Sequence, residues 1–141
     1  METQHEIRIL LIDENPKVRW SITAALASLG ILSKVTVVDR VCSVNDLFMG
    51  EAEFDLAIVD PFALLGHGVE LFASMHAHPI GKHLPVLIYT ASHKEKWNGS
   101  HLLTKPAHND DLAIAILQTI PQSKVSELPV SAVRALTTAS A

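Results

Sequence analysis

Cysteine is almost absent from this chain. The single Cys42 has no partner for an internal disulfide, which is the usage of a reducing compartment, and Cys42 itself reads as a small apolar residue. Long uncharged apolar runs are missing as well. Charges or prolines interrupt every run before it reaches the roughly 18 residues of a membrane span. The opening stretch METQHEIRILLIDENP has acidic residues on both sides of a very short apolar segment, unlike the basic-then-apolar order of a secretory signal. Runs of Lys or Arg are also lacking, and a formal net charge of −4 disfavours direct binding of nucleic acid. Charged residues are only 18% of the chain, against 48% hydrophobic, which excludes a disordered chain or a coiled coil. What remains is a soluble, cytoplasmic protein whose 141 residues fit one domain with a short tail.

Short apolar, β-branched runs alternate with segments of helical period. Ile7 to Ile12 reads as a buried strand, ending at Asp13-Glu14-Asn15-Pro16. Pro16 suits the first position of a helix capped by Asn15, with Val18, Ile22, Ala25, Leu26 and Leu29 on one face and Gly30 as its stop. Val35 to Val38 is the second strand, and Ser43 caps a short helix holding Val44, Leu47 and Phe48. The third strand, Phe54 to Val59, ends on Asp60-Pro61. A loop with Gly66 and Gly68 leads to a helix with Val69, Leu71, Phe72 and Met75, closed by Pro79. Leu84 to Tyr89 is the fourth strand, Leu102-Leu103 a short fifth, and Asn109 caps a last helix with Leu112, Ala115, Ile116 and Ile120. Such alternation, with near-continuous apolar strands, implies an α/β fold with a parallel sheet covered on both faces. Residues 1–120 form the domain in this reading. Residues 121–141, rich in Ser, Thr and Ala, read as a flexible tail or truncated linker, with Val133 and Leu136 making one weak helical turn.

Ligands of open parallel α/β sheets bind beyond the carboxyl ends of the strands, so the residues that follow each strand are informative. They are Asp13 and Glu14 after the first, Asp60 after the third, Thr90 after the fourth and Lys105-Pro106 after the fifth. Singly, each has an ordinary explanation as a solvated turn, a helix cap or a charge favouring a helix N-terminus. Jointly they place three carboxylates, a hydroxyl and a lysine on one rim. Carboxylates so grouped repel one another, and a divalent cation relieves them. Mg²⁺ suits one or two carboxylates plus an incoming phosphate. A carboxylate can attack phosphorus to form an acyl phosphate, and the transfer needs positive charge on the equatorial oxygens, which a metal and a lysine supply. Thr90 offers a hydroxyl to the phosphoryl group.

The segments IRILLIDENP, FDLAIVD, VLIYTAS and LLTKP resemble the four signature segments of response-regulator receiver domains, CheY-like proteins of two-component signalling, over roughly residues 5 to 120. Asp60 follows the acidic pair by 46 or 47 positions and Thr90 follows Asp60 by 30, and Gly68 matches the glycine that opens the third helix. The resemblance implies a flavodoxin-like doubly wound sheet of five parallel strands in the order 2-1-3-4-5. It implies Asp60 as phosphoacceptor, with Thr90 as switch hydroxyl and Lys105 as phosphoryl contact. Mg²⁺ would be held by Asp13, Glu14, Asp60 and the backbone carbonyl of Phe62. The implied partners are a sensor histidine kinase or phosphotransfer protein, and a downstream effector protein or a C-terminal output domain. The chain would be a switch rather than an enzyme. Another function on the same fold is a phosphorylation-independent interaction module. A flavodoxin-like cofactor binder is disfavoured, because no Gly-rich loop follows the first strand.

Several positions depart from that pattern. Only 15 positions separate Thr90 from Lys105, about two helical turns fewer than usual, and Asn98-Gly99 is a turn signal, so the helix between the fourth and fifth strands is expected to be short or missing. That puts the usual output surface in doubt. Leu102 stands where an aromatic residue is common, Leu64 where proline is common, and Glu14 lengthens an aspartate by one methylene. Pro61 follows the acceptor directly and removes an amide from its loop. Phe62 and Ser92 are expected to flank the path of an attacking water. Trp20, off the stripe of the first helix, divides evenly between partner contact and partial burial, and Trp97 reads as packed over a sheet edge. His76, His78, His83 and His93 read as solvated loop residues, since His76 and His78 lack the three- or four-residue spacing of paired helical ligands.

Overall fold

A computed structural model describes residues 6–40, 43–48, 53–91 and 101–139. Strands β1 (Glu6–Ile12), β2 (Leu32–Val38), β3 (Leu56–Val59), β4 (Val86–Thr90) and β5 (His101–Thr104) form one parallel sheet in the order β2-β1-β3-β4-β5. The expected flavodoxin-like order is therefore the observed one.

Alternation along each central strand makes two cores. Ile7, Ile9 and Leu11 of β1, with Leu56, Ile58, Leu87 and Tyr89, face helices α1 (Pro16–Ala27) and α4 (Asn109–Thr119). Leu10 and Ile12, with Ala57, Val59, Val86 and Ile88, face α3 (Gly68–Ala77), and partly buried Val44 and Leu47 of α2 (Val44–Phe48) pack there too. β1, β3 and β4 have apolar groups on both faces because both faces are covered, whereas edge strand β2 is only partly buried.

Local chemistry sets the helix ends. The Asn15 side chain accepts the Lys17 amide at 3.0 Å and Pro16 occupies the first turn, as the sequence predicts. Beyond the end of α1, Gly30 takes φ +75°, and the Ile31 amide returns to the Leu26 carbonyl at 3.0 Å. Ser43 Oγ accepts the Asn45 amide at the start of α2. The last predicted cap is shifted: His108 holds the N-cap position of α4 without a side-chain bond, and Asn109 is its first residue.

Residues 121–139, expected as part of a flexible tail or truncated linker with one weak helical turn, carry α5 (Gln122–Val125) and α6 (Val130–Ala139) in the structure. Val125, Leu128 and Ala132 are buried in the core beneath α1 and α4, and Ser131 Oγ donates to the Leu29 carbonyl at 3.0 Å. His76 and His78 are not loop residues. His76 lies within α3 against Phe72, and His78 ends the helix, stacked on Phe48 and bonded to Asn45 and Ile80. The expectations for the helix between β4 and β5, and those for Cys42, Ser92, His93 and Trp97, fall outside the described residues. No helix among the described residues is long and apolar enough to cross a membrane.

If α5 and α6 are part of the folded unit, Leu128→Ala should lower unfolding free energy by about 2–4 kcal/mol, as for other buried leucines. Urea denaturation measures this, and a change near zero would restore the tail reading.

Candidate functional site

The rim is assembled by backbone pairing that runs one residue past the strands. The Asp60 amide donates to the Ile12 carbonyl at 3.1 Å, extending the β1–β3 ladder and setting Asp60 beside Asp13. The Lys105 amide donates to the Thr90 carbonyl at 3.0 Å, doing the same for β4 and β5. Asp13 and Asp60 each turn one carboxylate oxygen onto their own loop: Asp13 Oδ1 accepts the Asn15 amide and Asp60 Oδ1 the Phe62 amide, both at 3.0 Å. Their Oδ2 atoms are thereby aimed at one point. Lys105 Nζ fills it, 2.5 Å from Asp13 and 2.8 Å from Asp60.

Burial alone would push the Lys105 ammonium toward neutrality. The hydrogen bonds and charges of Asp13 and then Asp60 more than offset this, and its pKa is raised above the ordinary lysine value. Tyr89, the single tyrosine of the chain, supports the lysine from below. Its ring centre lies 5.5 Å from Lys105 Nζ, within cation–π range, and its hydroxyl accepts the Ala107 amide at 3.0 Å. Its signal in the sequence was only its place beside Thr90.

The remaining predicted residues are placed as follows. Thr90 ends β4 and is buried. Glu14 does not join the carboxylate–lysine cluster: its Oε2 accepts the Leu64 amide, 3.0 Å away in the loop after β3. Among the described residues no group of three His, Cys, Asp or Glu side chains is arranged as a metal cage. Phe62 lies half exposed beside Asp60, and Trp20 is 65% exposed, which resolves it as a surface side chain.

The loop after β3 is the most constrained backbone near the rim. Leu64 and Leu65 have φ of 57° and 56°, and Gly66 follows at 91°. The left-handed region costs an ordinary residue about 1–2 kcal/mol. Gly68 is packed so tightly that an added Cβ would lie 2.5 Å from the Asp60 carbonyl oxygen and 3.0 Å from that of Pro61. The sequence marked Gly68 as the opening of a helix. In the structure its lack of a side chain lets α3 begin directly behind the Asp60 backbone.

No protein-family model and no curated protein matches the chain. Solved structures do. A signal receiver domain of a histidine kinase from Clostridium thermocellum superposes with a TM-score of 0.65 at 20% identity, covering 84% of this chain and 96% of that one. The receiver domain of a sensor histidine kinase from Pseudomonas aeruginosa, which has a magnesium ion in its active-site cleft, gives 0.64 at 23% identity over 83% of this chain and 98% of that one. The response regulator TrrA complexed with the histidine kinase ThkA matches at 0.57 and 18% identity, covering 82% and 99%. The chain has the fold of the CheY-like receiver domains of two-component signalling systems.

Two outcomes follow from the packing. Gly68→Ala should destabilise the protein by about 1–3 kcal/mol, since backbone must move to admit the methyl, and thermal melting would register it. The raised Lys105 pKa means that its stabilisation is complete below the ordinary lysine range and is lost as pH rises through the folded value. The stability difference between wild type and Lys105→Met should therefore stay constant through neutral pH and shrink only at strongly alkaline pH. A difference that vanished near neutrality would mean that the lysine is not held as an ammonium between the two carboxylates.

Proposed function

We propose that this chain is a phosphoacceptor receiver domain that takes a phosphoryl group on Asp60 from a histidine kinase or phosphotransfer protein. The observation that carries the reading is the convergence of the Asp13 and Asp60 Oδ2 atoms on Lys105 Nζ at the carboxyl rim of the sheet. Asp60 is the acceptor because it stands at the end of the central strand β3 and keeps an oxygen directed at the lysine. In the transfer that oxygen bonds phosphorus, the bond from phosphorus to the donor imidazole nitrogen breaks, and the imidazole, which carries a proton on its other ring nitrogen, leaves neutral with the electron pair. The Lys105 ammonium is placed to follow the phosphoryl oxygens, and Thr90, one strand away, offers its hydroxyl to them. The half-exposed Phe62 ring shields the acyl phosphate from water.

The donor set fits the hard cation that such chemistry uses. Asp13 and Asp60 present carboxylate oxygens that with Lys105 leave one excess negative charge at the rim, and Glu14, turned to the Leu64 amide, is the further carboxylate that could be recruited so that a divalent ion is balanced. Asp13, Glu14, Asp60 and the Phe62 carbonyl are the groups that would hold Mg²⁺, which would supply positive charge to the developing phosphoryl oxygens. The chain acts as a cytoplasmic switch rather than as an enzyme with a turned-over substrate. A second reading, a module that binds its partner without phosphorylation, draws on Leu102. This partly exposed aliphatic residue on β5 replaces the aromatic group through which receivers commonly relay the signal.

Incubation with Mg²⁺ and a small phosphodonor, followed by intact-mass measurement, should add one phosphoryl group to the wild type and none to Asp60→Asn. Equal uptake by the variant would refute Asp60 as the acceptor, and no uptake by either protein would favour the phosphorylation-independent module.

A further inference from the structure

Two departures from the receiver pattern meet in space. Glu14 is one methylene longer than the aspartate expected there, and Leu64 has an amide where proline would have none. In the structure each explains the other, because Glu14 Oε2 reaches across to accept that amide at 3.0 Å. The bond lands on strained backbone. Leu64 and Leu65 are successive left-handed residues, a conformation that proline cannot adopt and leucine adopts at a cost. The Leu64 side chain is buried against α3, so its place is fixed by packing as well. Leu65 is not so repaid: it is 99% exposed, with an apolar side chain wholly in solvent. Strain of this kind persists only where surrounding interactions enforce it.

We infer that Glu14 is a clamp on the loop after β3, with its carboxylate shared between two competing duties: holding the Leu64 amide, or binding a divalent cation at the Asp13–Asp60 rim. This rests on the phosphoacceptor reading for the identity of the cation. While it holds the Leu64 amide, the Glu14 carboxylate does not group with those of Asp13 and Asp60 into a cation site, so reaching a shared ion requires it to move off the amide. Cation binding therefore draws Glu14 off Leu64, and the loop relaxes out of the left-handed conformation, moving Leu65. Release of the loop converts ion occupancy into a surface change within a few residues of Asp60, on the side of α3. The apparent affinity for the cation is the intrinsic affinity reduced by the fraction of molecules in the unclamped state.

That relation makes opposite predictions for two neighbouring substitutions. Leu65→Gly removes the penalty of the left-handed conformation, favours the clamped loop, and should weaken Mg²⁺ binding by about fivefold. Leu64→Pro removes the amide and forbids its positive φ, abolishes the clamped state, and should tighten Mg²⁺ binding. Mg²⁺ alone, titrated by calorimetry into the full chain, measures both. Hydrogen exchange of the wild-type Leu64 amide, followed by NMR, should accelerate when Mg²⁺ is added. Opposite shifts in affinity, with faster Leu64 exchange, support the clamp. Shifts in the same direction, or none, with Mg²⁺ still bound by the wild type, overturn the clamp and leave the phosphoacceptor reading standing. Failure of the wild type to bind Mg²⁺ overturns the clamp and counts against the phosphoacceptor reading as well. Should Leu64→Pro not fold, Leu65→Gly and the exchange measurement decide the matter: unchanged affinity and unchanged exchange sink the clamp.

Discussion

The Lys105 ammonium is held between the carboxylates of Asp13 and Asp60, and through that contact the ends of β1, β3 and β5 are tied at one edge of the sheet. Two largely buried carboxylates so close would otherwise repel each other in a medium less polarisable than water, so the lysine is a condition of the rim's existence. Under the proposed function, conversion of Asp60 to an acyl phosphate would move its negative charge outward onto the phosphoryl oxygens and draw the ammonium with it. Tyr89 is in contact with both the lysine and the Ala107 amide.

Backbone controls this site as much as side chains do. Asp60 stands where it does because its amide continues the ladder to Ile12, and α3 can start behind it only because Gly68 has no Cβ. The intervening loop is held in a left-handed turn at Leu64 and Leu65, with Glu14 bonded to its amide. Glu14 and Leu64 are each unusual singly. Together they form one hydrogen bond across 50 residues of sequence.

The C-terminal helices change what the molecule presents. α6 lies against α4, and Ala132 and Leu128 complete the core beneath α1, so the face formed by α1 and α4 is partly covered by the chain itself. The segment has a strongly one-sided apolar pattern, but its alanines, serines and threonines are also what a linker is made of. Composition alone does not separate the two.

The strands, their parallel arrangement and the residues at their carboxyl ends were legible in the sequence, because buried β-strands between amphipathic helices leave a local, periodic trace. Asp13, Asp60 and Lys105 were legible as a set for the same reason: each directly follows a strand, and strand ends share a rim. The sequence could not show how the charges pair there. It grouped Glu14 with the other carboxylates, whereas the structure turns it to Leu64, because the direction of a side chain depends on which amides lie within reach after folding. Tyr89 beneath the lysine, the tight fit at Gly68 and the docking of α6 are likewise contacts between distant segments. A local pattern determined where the chain would be strand or helix, and only tertiary packing decided which charged group met which partner.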